Sequence, residues 1–151
     1  MDAPSFRFRL ERVRSLRERK EKLAQQELAR SISRLSDTRE RLASADADVE
    51  RAREEQRAAT APGNVDGAEL RSRQAFLEHA EQLRSQHAAD VASGEADVAG
   101  RGAELAVAAG EHEMLKRLRA RRRTEHERET ARRESRVLDE MAASRARRSV
   151  A

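Results

Sequence analysis

The sequence contains no cysteine, tryptophan or tyrosine, only three phenylalanines and two prolines. Without cysteine there is no disulfide framework, no thiolate metal site and no sulfur nucleophile, a usage that suits a reducing compartment. With 2% aromatic against 40% charged residues, the 151-residue chain has the length of one domain but not the apolar mass of a layered globular core. No apolar run approaches the roughly 20 residues that cross a bilayer. The N-terminus also lacks the apolar block of a secretory signal, so a soluble, cytoplasmic protein is expected. The prolines stand at positions 4 and 62, which leaves long stretches free of the strongest helix breaker.

What the chain does have is alanine, about half of its apolar residues, alongside leucine, glutamate and arginine. This is the composition of a coiled coil or long helix. One cluster is hostile to helix, Thr60-Ala61-Pro62-Gly63-Asn64-Val65-Asp66-Gly67. There Asp66, followed three residues later by Glu69, has the form of a capping box opening a second helix. The expected fold is all-α, a single domain over residues 1–151. A helix over about 5–60 and a turn over about 61–67 lead to a longer helix over about 68–146, folded back as an antiparallel coiled-coil hairpin. A turning point at residue 64 or 65 sets position i opposite roughly 129 minus i.

On the first arm, Pro4 and Ser5 serve as helix-start residues, and Phe6, Leu10, Val13 and Leu16 form an apolar stripe at helical spacing. Leu23 and Leu28, five apart, displace that stripe as a stutter does. From there Leu28, Leu35, Leu42 and Val49 recur every seventh residue, with Ala24, Ser31, Thr38, Ala45, Ala52 and Ala59 in the companion column. The second arm repeats the arrangement with Leu70, Leu77, Val91, Val98 and Leu105, interrupted by Arg84. Its companion column holds Ala80, His87, Gly94, Ala108 and Leu115. Gly94, Gly100, Gly102 and Gly110 cost about 1 kcal/mol each relative to alanine and mark the softest part of this arm. Only Gly94 lies on the seam.

After Leu118 the stripe stops, and from Arg119 to Arg136 no apolar residue exceeds alanine in size. The pairing rule sets Arg119 opposite Leu10, where the first arm runs out. A helix with nothing beside it has no seam to maintain, so the second arm is expected to overhang. At ~1.5 Å per residue the arms would measure roughly 80 and 120 Å. Beyond the polar stretch an apolar cluster returns at Val137, Leu138 and Met141, a candidate docking surface whose bland alternative is an incidental frayed end.

Charge gathers at the same end. The cations from Arg7 to Lys22 and from Lys116 to Arg123 form one electropositive tip in an antiparallel hairpin, though the net charge is only +4 and acids such as Glu11, Glu18 and Glu21 dampen it. Such a tip attracts acidic partners. Nucleic acid is not the expected partner, because aromatic stacking platforms and helix-turn-helix or finger spacings are missing. Catalysis is not expected either. His79, His87, His112 and His126 are scattered along one helix, and Glu111-His112-Glu113 has no metal-ligand spacing. A two-helix hairpin also lacks an enclosed pocket for a small-molecule substrate, and no cofactor is implied.

Three segments then resemble one family. Phe6-Arg7-Phe8-Arg9-Leu10-Glu11-Arg12-Val13-Arg14-Ser15-Leu16-Arg17-Glu18 is similar to the N-terminal signature of the flagellar export protein FliJ. Arg73-Gln74-Ala75-Phe76-Leu77, followed at a distance by Gln86-His87, resembles the mid-chain pattern of that family. Leu138-Asp139-Glu140-Met141 with Arg145 and Arg147 resembles its C-terminal signature. Together they cover nearly the whole chain in the family's order.

The resemblance implies a non-enzymatic component of the flagellar type III export apparatus, serving protein transport and motility. As an antiparallel coiled-coil stalk it would bind the hexameric export ATPase, the transmembrane export gate and export chaperones. It would then sit in the cytoplasm, held peripherally at the inner face of the membrane through that apparatus. The gate surface maps onto Phe76, Leu77, Ala80, Leu83 and His87, with Ala80 smaller than the family's usual aliphatic residue there. The ATPase-ring surface falls at Leu10, Val13, Arg119, Arg122, Arg123, Val137, Leu138 and Met141. Alternatives are the equivalent stalk of a virulence secretion system, a plain coiled-coil spacer, or a basic helix on nucleic acid with steep salt dependence.

Overall fold

A computed structural model describes residues 5–60 and 66–149. Two helices, α1 (Glu11–Ala59) and α2 (Gly67–Ser149), make up nearly all of it, packed antiparallel, and no strand occurs among the described residues. The expected pivot at residues 64 and 65 and the start signal at Pro4 lie outside the described residues.

The opening of α2 follows from its sequence. The Asp66 carboxylate accepts the Ala68 N–H at 2.9 Å, and the Asp66 carbonyl accepts the Leu70 N–H at 3.0 Å. These bonds satisfy donors that every helix N-terminus leaves open. Glu69 takes the Arg73 guanidinium at 2.6 Å, one turn further along. The opening of α1 departs from expectation. Ser5 to Phe8 have no regular structure, and the helix begins at Glu11, whose N–H donates to the Phe8 carbonyl at 3.1 Å. Glu11 places an acid in the first turn, where the helix dipole favours it. Phe6 and Phe8 are half-buried, side chains held down before the helix starts.

Two compact units divide the chain, Lys22–Ala106 and Met1–Glu21 with Val107–Ala151. In Lys22–Ala106 the heptad columns are the core. Ser31, Leu35, Ala45, Val49 and Ala52 of α1 and Ala80 of α2 are buried, Val49 to 1% exposure. Leu28, Thr38, Leu42, Leu70, Leu77, Val91 and Val98 are half-buried around them. Leu35 meets Gly94, as the turn-based register places them; a Cβ on Gly94 would lie 3.1 Å from Leu35 Cδ1. Gly94 therefore marks close helix approach, whereas a Cβ on Gly100 or Gly102 would meet nothing within 4 Å. Where Arg84 interrupts the leucine column it stays exposed and pairs with Asp46.

Ser31 is the one buried polar residue among the described residues, 2% exposed, and its hydroxyl donates to Asp97 Oδ2 at 2.6 Å while accepting from Arg34 at 2.8 Å. That donation, with Arg34 alongside, holds the Asp97 carboxyl below its usual range. A carboxylate depressed in the folded state adds stability above its unfolded pKa of about 4. That stability is lost as pH falls through the depressed value. Between pH 5 and pH 3 the melting temperature of the wild type should drop more steeply than that of Ser31→Ala, which lacks the main cause. Parallel slopes in thermal melts would remove this linkage.

Candidate partner-binding surfaces

In the unit that holds the chain ends, the seam changes character. Its cross-helix contacts are polar: Arg17 pairs with Glu111, Arg119 with Glu11 at 3.3 Å, and His112 Nδ1 shares a hydrogen bond of 2.6 Å with Glu21. Within α1, Arg14 reaches back to Glu11 at 2.6 Å and forward to Glu18 at 3.5 Å. The Arg14 hydrogen bond, with the Arg119 charge behind it, holds Glu11 below the usual carboxylate range.

This polar seam corrects the expected N-terminal stripe. Leu10, Val13 and Leu16 are 40%, 41% and 52% exposed, and the residues that reach α2 are Arg17 and Glu21. The reason lies across the seam, where Glu111, His112 and Arg119 offer polar groups rather than apolar surface. Phe6 does not extend the helix; its ring lies 5.7 Å from that of His126 at 59°. The segment from Ser5 to Leu10 thus crosses α2 and, with Leu118, Arg122 and His126, borders a cleft of ≈ 740 Å³.

The residues expected to meet an ATPase ring fall on both sides of this crossing. Arg119, Arg122 and Arg123 are exposed but each holds an acid, Arg122 on Glu125 at 3.0 Å and Arg123 on Glu127 at 2.9 Å. Residues 131–143 of α2 are exposed on every side, which is the expected overhang. Val137, Leu138 and Met141 lie there with half or more of their surface open. Sequence reasoning missed Val107 and Met114, which with Leu138 are the most exposed large apolar side chains of this unit. They are spaced seven apart, and an apolar heptad out of phase with the seam was the available signal.

The gate-surface residues lie in the other unit and divide by heptad position. Phe76 and Leu83, seven apart, are exposed, Phe76 to 56%. Leu77 and His87 are half-buried and Ala80 is buried, so these three belong to the helix seam. His87 Nδ1 lies 3.7 Å from Asp90. The surface offered outward is therefore Phe76 with Leu83, backed by the other three.

Among the described residues no group of three His, Asp or Glu side chains could hold a metal ion, and no helix is long and apolar enough to cross a membrane. A family model, that of the flagellar FliJ protein, matches residues 6–151. Comparison with curated proteins and with solved structures finds no match.

Proposed function

The chain belongs to the flagellar FliJ protein family and is a component of flagellar type III export, and from that premise we propose that it is the stalk linking the hexameric export ATPase to the export gate and to export chaperones. The observation that carries the reading is the second helix continuing past its partner, bare on all sides, with Arg119, Arg122 and Arg123 at its root and Val137, Leu138 and Met141 farther out. Large side chains left open on an uncovered helix mark a surface for another molecule. Cations beside them favour an acidic one.

Binding several ATPase subunits at once stabilises the ring through preferential affinity for the assembled state. Export ATPase incubated with the full chain should co-purify with it and shift toward hexamer. An ATPase that assembles equally with and without the chain would remove the stalk reading.

The gate contact is assigned to Phe76 and Leu83, because an aromatic ring beside a seam rather than in it does nothing for the pairing of the helices. Phe76→Ala should leave helical circular dichroism unchanged and weaken gate binding by roughly tenfold or more, the size of a buried aromatic anchor. Equal affinity of variant and wild type in a titration with the gate's cytoplasmic part would reassign this face. Through these contacts the protein is held peripherally at the membrane.

A further inference from the structure

The first turns of α1 carry two unlike faces. Toward α2 go Arg17 and Glu21, half-buried and bonded across the seam to Glu111 and His112, with the half-buried Arg14 held between Glu11 and Glu18 of its own helix. On the opposite side lie Arg12, Leu16 and Arg19, at i, i+4 and i+7, with Val13 and Lys20 beside them. All five are exposed. Arg12, Arg19 and Lys20 have no acid partner among the described residues, although Glu11 and Glu18 are near in sequence; those acids are drawn to Arg14 on the inner side.

The geometry points to an anionic lipid surface as the partner of this outer face. Fixed cations flanking short apolar side chains are what a helix lying in a headgroup layer presents. The size of the face decides against a folded protein. A specific protein interface buries on the order of 800 Å² on each side with matched packing. Two partly open aliphatic side chains on the convex flank of a helix fall far short of that. A bilayer has no shape to match: it takes Leu16 and Val13 among its headgroups while each cation adds its own attraction to the charged surface. The contact shares Val13 with the residues assigned to the ATPase ring but rests on Arg12, Leu16, Arg19 and Lys20, which neither the ring nor the gate assignment uses.

Co-flotation of the full chain with vesicles tests the assignment. Vesicles of phosphatidylglycerol and phosphatidylcholine in equal parts should bind it at low salt and release it at high salt, and pure phosphatidylcholine should not bind. Arg12→Gln with Arg19→Gln should lower partitioning about thirtyfold, from two cations near the surface. Leu16→Ser should lower it several-fold, with helicity preserved in both variants. Arg30→Gln with Arg41→Gln removes the same charge from exposed positions elsewhere on α1 and should leave partitioning within about twofold. No binding to the charged vesicles, or equal losses in the two double variants, overturns the proposal. Retention on immobilised polyglutamate without vesicle binding overturns it in favour of an acidic protein.

Discussion

Reversing Arg119, Arg122 and Arg123 together to glutamate should return the export ATPase to its unstimulated rate while the hairpin stays folded. The three guanidinium groups are exposed, and their present partners are Glu11, Glu125 and Glu127. Surface pairs of this kind contribute about 0–1 kcal/mol each, so their loss should barely move the thermal midpoint. A partner drawn by positive charge would instead meet three negative charges within little more than one helical turn, which suppresses encounter and docking alike. ATPase assays at low and high salt, with circular dichroism on the same samples, check the result. Full stimulation by the folded triple variant would show that the ring grips the stalk elsewhere.

A second large effect is expected inside the hairpin. Leu35→Ala should lower stability by about 2–4 kcal/mol, measured in urea. The loss is greater than for a leucine on a looser face because the opposing residue, Gly94, has no side chain to move into the gap. The pair supplies its own control. In the wild type a methyl at position 94 meets Leu35 Cδ1 at 3.1 Å and must displace it. In the Leu35→Ala background the same methyl enters space just vacated and adds helix propensity. Gly94→Ala should therefore stabilise the single variant more than it does the wild type, and additive values in the double-mutant cycle would mean the two residues do not touch in solution.

The seam of this chain was legible because a sevenfold recurrence survives any uncertainty about the turn. Leu35, Val49 and Ala52 fall inward as their spacing requires, and Leu35 faces the residue that a pivot near 64 assigns to it. The pattern failed at the N-terminus for a definite reason. Which face of a helix turns inward depends on what waits there, and periodicity within α1 is blind to Glu111 and His112 on α2. Apolar spacing alone made Leu10, Val13 and Leu16 a seam; polar partners on the facing helix drew in Arg17 and Glu21 instead. The crossing of Phe6 over His126 was hidden for a related reason, since a helix-compatible pattern continues through residues that leave the helix to make it. Among the five residues that the family resemblance proposes for the gate, heptad phase separates the exposed members, Phe76 and Leu83, from those committed to packing.

The far end of α2 is coiled with no helix beside it. Arg133 is bonded to Glu129 at 2.5 Å, the Thr130 hydroxyl donates to the His126 carbonyl at 2.9 Å, and the Ser144 hydroxyl donates to the Glu140 carbonyl at 2.7 Å, all within one turn. Whatever receives this segment meets a helix already formed. Little chain freedom is surrendered on contact, and arrival need not wait for a disordered tail to coil.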